Sequence, residues 1–275
     1  MRYKIRFITF IDLLFVLMLG ISGCMKSEGL STAVYYLAFV IPVLLGISYI
    51  FTASEASGKN RREVCHGMLC DLRINKKGAL LALPLIIAGI GAVALLSLAT
   101  TSVMAFFGKE NSVSFTEPFM AALFIHALLP ALLEELLFRF IPINLLRDAP
   151  KTAILISALF FSLAHTNVFQ IPYAFAAGLV FAFLYFITES ILPCVLMHFL
   201  NNTISLISIY GYDSTAFWIT FAALCALSLI IAAAYRKPYI NAFKRMKADS
   251  KLEVGYSPIL FAVISLTFAI SALFA

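Results

Sequence analysis

Charged residues are scarce in this sequence of 275 residues: they make up 12% of it, whereas apolar residues make up 62%. Soluble globular domains typically carry about 25% charged residues. The mean hydropathy of +0.99 is likewise more apolar than that of such domains. This composition excludes a soluble globular domain and indicates an integral membrane protein with several spans.

The sequence also lacks the alternating runs of about ten residues, separated by turns, that are typical of a transmembrane barrel. It contains no internal repeat at a solenoid period and no low-complexity tract. We therefore predict an all-α fold, a polytopic transmembrane helical bundle with about eight or nine spans, which forms a single membrane domain over residues 1–275. Each span needs roughly 20 mostly apolar residues. Segments of this kind lie near 7–24, 31–52, 78–107, 118–146, 152–168, 171–188, 191–210, 215–235 and 257–274.

The N-terminal segment has a second interpretation. Basic residues from Arg2 to Arg6, an apolar run and the sequence Ile21 to Cys24 resemble a bacterial lipoprotein signal that ends at a lipidated cysteine. Asp12 interrupts the apolar run and argues against cleavage. If Asp12 remains in the first span, it either pairs with a group on another helix or stays protonated.

The distribution of the cations gives the predicted orientation. If the nine spans alternate, seventeen of the twenty Lys and Arg residues lie on one side, and only Lys26 and Lys109 lie on the other. This is the positive-inside bias, and it predicts a cytoplasmic N-terminus in a bacterial plasma membrane. Two basic loops, 53–77 and 236–256, then lie near anionic lipid headgroups, or dock a protein partner. The net charge of +6 therefore indicates membrane lipids as partners and no nucleic acid.

Ionisable side chains within a span are costly and mark functional sites by default. The fourth span contains Glu134, Glu135 and Arg139. Glu135 and Arg139 are four residues apart, so they lie on one helical face and can pair. Glu134 is rotated by about 100° from that pair, so its carboxylate can face another direction unpaired. His126, eight residues before Glu134, is interpreted as a packing or pore-lining histidine.

Two later spans contribute His165, His198 and Asn202. His198 and Asn202 are four residues apart and can project from one face. With a rise of 1.5 Å per residue, Glu134, His165 and Asn202 lie about 20 Å from the cytoplasmic ends of their helices, and His198 lies about 14 Å from its own. The four groups are therefore predicted to meet at a similar depth, as a hydrolytic site in a bundle requires.

In this order on separate spans, the patterns Glu-Glu-x-x-x-Arg, Phe-x-x-x-His and His-x-x-x-Asn resemble the three-motif signature of the CPBP (CAAX protease and bacteriocin-processing, Abi) family. That family includes the Ras-converting type of CAAX prenyl protease. The resemblance covers a core of about residues 118–208, and all three motifs match without departure. It implies an intramembrane endopeptidase that acts on a membrane-associated polypeptide, either lipid-modified or transmembrane.

The resemblance also implies a role for each residue of the motifs. Glu134 and His165 would activate a water molecule for attack on a peptide carbonyl. His198 and Asn202 would stabilise the oxyanion. Glu135 and Arg139 would hold the site in shape.

Several alternatives stay open from the sequence. Glu134, His165 and His198 are also a complete ligand set for a catalytic Zn²⁺, as in a metalloprotease, although there is no His-Glu-x-x-His run. A non-catalytic membrane scaffold or immunity regulator is a second alternative. A proton-coupled transporter is a third, since intramembrane Glu and His can form a proton relay, but no inverted repeat is visible.

Overall fold

The computed structural model describes residues 2–58, 60–74, 76–108, 115–212, 214–234, 236–246 and 257–274. Nearly all of these residues are helical, and no strand occurs among them. The predicted all-α fold is confirmed. The helices are α1 (Arg2–Gly23), α2 (Glu28–Ala56), α3 (Arg61–Cys70), α4 (Lys76–Phe106), α5 (Phe119–Leu145), α6 (Pro150–Ala164), α7 (Ile171–Thr188), α8 (Leu192–Ile209), α9 (Thr215–Ala234), α10 (Arg236–Arg245) and α11 (Ser257–Phe274).

Seven described helices are long and apolar enough to cross a membrane, namely α1, α2, α4, α5, α7, α8 and α9. Helix α6 is shorter, with 15 residues, and the part of α11 whose side chains are described is shorter too. The polytopic character of the chain is therefore confirmed, whereas eight or nine spans stays a prediction. Apolar composition alone predicted that the fifth span would reach residue 168, but α6 ends at Ala164 and Thr166 adopts a left-handed backbone conformation with φ of 48°.

Both segments predicted to be basic loops contain a helix. Helix α3 lies within 53–77 and begins at a capping box, in which Asn60 and Glu63 each accept a backbone hydrogen bond from the other. Helix α10 occupies the first part of 236–256, and the second part, 247–256, lies outside the described residues. Their predicted position on the cytoplasmic side stays a prediction.

Asp71, which follows α3, connects several helices at one end of the bundle. Its carboxylate accepts hydrogen bonds from Arg147 at 2.6 Å, Tyr185 at 2.9 Å and Asn144 at 3.2 Å. Its backbone carbonyl accepts one from the amide of Ile191 at 2.9 Å. We name this the basic end, because the end of α5, the end of α7 and the beginning of α8 meet there beside Arg147. The opposite end is where α5 begins and α8 ends.

Asp71→Asn is expected to lower the thermal stability of the protein. The carboxylate of Asp71 is buried, and hydrogen bonds to a charged group contribute about 1.5–3 kcal/mol each, roughly twice the contribution of neutral ones. The melting temperature of the purified protein in detergent checks this. Asp148→Asn is the control, since the carboxylate of Asp148 is 96% exposed and 3.8 Å from Lys4. Equal melting temperatures for the two variants would contradict the role of Asp71.

Helices α6 and α7, which carry residues of the site, pack in close contact. A Cβ atom at Gly178 of α7 would lie 2.8 Å from the Cα atom of Ala158 on α6, which is too short for any side chain. Small residues at this crossing let the two backbones approach, as is common between transmembrane helices. The contact fixes the end of α6, where His165 lies, relative to α7.

Helix α5 contains two π-helical turns, Leu123–Leu128 and Leu136–Phe140. Such turns insert an extra residue into an α-helix and occur frequently at functional sites. Each is followed closely by a proline, Pro130 or Pro142, which has no amide hydrogen to donate. The two glutamates of the fourth span lie between the turns, and Arg139 lies in the second.

Candidate active site

Glu135 is wholly buried and contacts two partners. Its Oε2 atom lies 3.3 Å from Nε of Arg139, four residues later, and its Oε1 atom lies 2.8 Å from Nδ1 of His198. Because a carboxylate only accepts hydrogen bonds, His198 donates through Nδ1. The spacing in the sequence predicted the contact with Arg139. The contact with His198 joins α5 to α8 and was not predicted.

Arg139 is also wholly buried, and aromatic rings surround its charge. The guanidinium carbon lies 4.0 Å from the centroid of Phe161 and 5.0 Å from that of Phe181. Cation–π contacts of this kind are worth about 2 kcal/mol or more when they are desolvated. Within the described part of the chain, no guanidinium nitrogen has a hydrogen-bond partner of good geometry. The ion pair with Glu135 and these two rings therefore hold the charge in the core.

The same two rings orient the histidines. Phe161 meets His165 edge-on, with 4.8 Å between centroids, and Phe181 stacks on His198 with 5.3 Å between centroids. Nδ1 of His165 lies 2.8 Å from the carbonyl oxygen of Phe161. Since a carbonyl only accepts, His165 donates through Nδ1, and a neutral ring keeps the lone pair on Nε2.

Glu134 faces a cavity of about 290 Å³ that His165, His198 and Asn202 also line. Its Oε2 atom is buried, lies 3.8 Å from Nε2 of His198 and makes no hydrogen bond with any described residue. Glu134 thus keeps a carboxylate oxygen that is free of hydrogen bonds to the described residues, as the helical rotation from Glu135 suggested. The structure brings all four residues predicted to carry the chemistry to one cavity.

The geometry places the three motifs of the sequence around a single site, and the comparison with family models covers the same part of the chain. Residues 116–204 match the family model of the type II CAAX prenyl endopeptidases, Rce1-like. The match spans all three motifs and confirms the resemblance found in the sequence. This Rce1-like segment covers about a third of the chain. No curated protein and no solved structure matches the chain.

A residue of α2, far from the Rce1-like segment in the sequence, also contributes to the site. Tyr35 of α2 lines the cavity of about 290 Å³ and a smaller one, of about 170 Å³, that Glu134 and His165 also line. Nothing in the sequence around Tyr35 distinguishes it from the other tyrosines of apolar segments. Phe181 was missed for a similar reason, since a phenylalanine in an apolar helix is normally a packing residue.

His126 lies at the side of the cavity nearest the opposite end. Its Nε2 atom pairs with Oε1 of Glu117, and the ring of Phe115 stacks on it with 4.1 Å between centroids. The hydroxyl of Tyr210 donates to the backbone carbonyl of Glu117 at 2.6 Å. The hydrogen bond from His126 lowers the pKa of the Glu117 carboxyl below its ordinary value. His126 lines the cavity, in agreement with one of its two predicted roles.

The predicted zinc ligands do not form a metal site. Glu134, His165 and His198 line one cavity, but no group of three His, Cys, Asp or Glu side chains in the described ranges is positioned to hold a metal ion. The residues present therefore do not fit a preformed three-ligand zinc site. The metalloprotease alternative gains no support from this geometry.

Asp12 is a further buried carboxylate, and it does not line the cavity that Glu134 faces. Neither of its oxygens has a hydrogen-bond partner among the residues that the structure describes. The predicted pairing of Asp12 with another helix is thus not found in this part of the chain.

Proposed function

We propose that this protein is an intramembrane endopeptidase that hydrolyses a peptide bond in a membrane-associated polypeptide. One observation carries the proposal: Glu134, His165, His198 and Asn202, from three separate helices, line a single cavity. The Rce1-like match supports protease activity in the membrane. The proposed roles are those that the resemblance implies, and the hydrogen bonds of His165 and His198 define how these two rings can act.

Glu134 and His165 are the proposed activators of water. A water molecule in the cavity that they share donates one hydrogen to the carboxylate of Glu134 and the other to Nε2 of His165, which keeps its lone pair because Nδ1 donates to Phe161. As the water oxygen bonds to the carbonyl carbon, Glu134 takes its proton. That proton then passes to the leaving nitrogen and the C–N bond breaks, which releases a carboxylic acid and an amine.

His198 and Asn202 are the proposed donors to the oxyanion. The side-chain amide of Asn202 can donate whether the ring of His198 carries one proton or two. His198 donates through Nε2 only when its ring is doubly protonated, because Nδ1 already donates to Glu135. A doubly protonated His198 brings the summed charge of Glu134, Glu135, Arg139 and His198 to zero. Donors that are already in position before the reaction stabilise developing charge strongly.

Asn202→Ala is expected to lower kcat by about 10²–10³-fold, the usual effect of removing one oxyanion donor. KM should change little, because the oxyanion exists only in the transition state. Rates on a peptide that contains the cleavage site check this. Thr203→Ala is the matched control, since Thr203 is the next residue of α8 and lines neither the cavity that Glu134 faces nor the neighbouring cavity of about 510 Å³ that shares Asn202. Equal losses in the two variants would contradict the role of Asn202.

The proposed function is tested by comparing peptides in membranes of cells that produce the wild-type protein or the Glu134→Gln variant. We expect a set of peptide fragments that appears only with the wild-type protein, although both proteins accumulate to the same level. These fragments would identify the substrate and the cleavage position. Identical peptides in the two samples would contradict the protease proposal and favour a scaffold or immunity regulator.

A further inference from the structure

The cavity that holds the candidate catalytic residues extends toward only one end of the bundle. On α5 its other lining residues, Pro130 and His126, precede Glu134, and on α8 it continues from Asn202 to Ile209. Helix α5 begins and α8 ends at the opposite end. The cavity therefore runs from the site to the opposite end, away from the basic end.

A neighbouring cavity of about 510 Å³ follows the same direction. It shares His165, His198 and Asn202 with the first cavity and reaches Thr101 on α4 and Trp218 on α9. Helix α4 ends five residues after Thr101, and α9 begins three residues before Trp218, so both residues lie near the opposite end. The residues on α4 and α9 that line only the second cavity thus give the same direction of access.

The side of the site that faces the basic end is packed. Leu137, Arg139 and Ile141 on α5 and Met197 on α8 are wholly buried, and they lie between the candidate catalytic residues and the basic end. A larger cavity of about 590 Å³ does lie at the basic end, around Asp71. None of the four candidate catalytic residues lines it.

From this geometry we propose that the substrate reaches the site from the extracytoplasmic side of the membrane. The inference rests on the proposed function and on the positive-inside bias, which places the basic end in the cytoplasm. It narrows the substrate class to exported, membrane-anchored polypeptides whose scissile bond lies in the outer half of the bilayer. A lipid-modified tail on the cytoplasmic face would have to cross the packed core to reach Glu134.

Aromatic side chains surround the opening at the opposite end. Phe119 meets Tyr210 and Tyr212 edge-on, with 5.4 Å and 5.2 Å between centroids, and Phe115 stacks on His126. Aromatic residues favour the membrane–water interface, where one part of the ring is apolar and the other is wet. This opening suits an apolar, extended segment of an anchored polypeptide at the outer surface of the bilayer.

Cysteine labelling in cells tests the side of access with the full-length protein. The three exposed cysteines, Cys24, Cys65 and Cys70, are replaced by serine. One cysteine is then introduced by Ser205→Cys, because Ser205 is an exposed residue that lines the cavity and is not a candidate catalytic residue. The parent protein, which lacks the introduced cysteine, measures the background labelling of Cys194 and Cys225. A sulfonated maleimide that cannot cross the membrane is applied to intact cells and to inside-out vesicles.

Two proteins that each retain one natural cysteine provide the controls. Helix α1 begins near the basic end, where Lys4 lies 3.8 Å from Asp148, so Cys24, which follows α1, lies at the opposite end. Cys70 ends α3 at the basic end. We expect Ser205→Cys and Cys24 to be labelled in intact cells, and Cys70 only in inside-out vesicles. Labelling of Ser205→Cys only in inside-out vesicles, or from neither side, would overturn the inference.

Failure of the access inference differs from failure of the proposed function. Labelling does not require catalysis, so an inactive protein with an outward-facing cavity would still label at Ser205→Cys. Conversely, peptides that depend on Glu134 but come from proteins without an export signal would leave the protease proposal intact and contradict extracytoplasmic access.

Discussion

Glu134→Gln is expected to reduce the rate of peptide cleavage by about 10²–10⁴-fold, the range in which a general base usually contributes. Gln keeps the size and one acceptor oxygen of Glu134, but it cannot take the proton of the attacking water. The rate is measured with purified protein in liposomes on the substrate that the membrane peptide comparison identifies. The loss should fall on kcat, because the proton moves only during the reaction.

The stability of the Glu134→Gln variant is the control for this loss of activity. Oε2 of Glu134 makes no hydrogen bond within the described residues, and its contact with Nε2 of His198 is long, at 3.8 Å, so the neutral isostere Gln disturbs the packing little. We expect the melting temperature to match that of the wild-type protein. Glu189→Gln, which changes an exposed carboxylate at the basic end, should retain full activity. Full activity in Glu134→Gln would remove Glu134 from the mechanism.

Arg139→Ala is expected to prevent the protein from accumulating in membranes. Removing one partner of a buried ion pair costs about 3–5 kcal/mol, because the other charge is left buried without compensation. That loss is a large fraction of the roughly 5–15 kcal/mol by which folded proteins are stable. Glu135→Ala should be as severe, since it strands both Arg139 and the Nδ1–H group of His198. Immunoblots of membranes and melting temperatures measure both effects.

A double replacement separates folding from catalysis. Glu135→Gln combined with Arg139→Met removes both charges, and exchanging a buried ion pair for neutral groups is often neutral or stabilising. We expect this protein to accumulate better than Arg139→Ala while it remains less active than the wild-type protein, because His198 loses its charged acceptor. If Arg139→Ala alone accumulates and melts like the wild-type protein, the proposed structural role of the pair is wrong.

Local spacing in the sequence predicts contacts within a helix but not the contacts between helices. Glu135 and Arg139 are four residues apart, so their ion pair followed from helical geometry. The second contact of Glu135, with His198, depends on how α5 and α8 pack, and no spacing along the chain encodes it. That contact places a proton on Nδ1 of His198, so it determines whether Nε2 can donate a hydrogen bond to the oxyanion.

Apolar composition likewise predicts that a segment is buried or spans the bilayer, but not which of its side chains face a site. Tyr35 and Phe181 lie in apolar stretches of their helices, and their positions beside Glu134 and His198 depend on tertiary packing. Hydropathy also does not show where the backbone leaves the helical conformation. For this reason the predicted span extends to residue 168, although α6 ends at Ala164. Thr166, just after His165, adopts a left-handed conformation there.

The most direct test of the account is a double-mutant cycle between Glu134 and His165. If both act on one water molecule in the shared cavity, Glu134→Gln combined with His165→Ala should cleave the substrate no more slowly than the slower single variant, because residues that act as a unit are not additive. Multiplied losses in the double variant, or full activity in either single variant, would contradict the shared site.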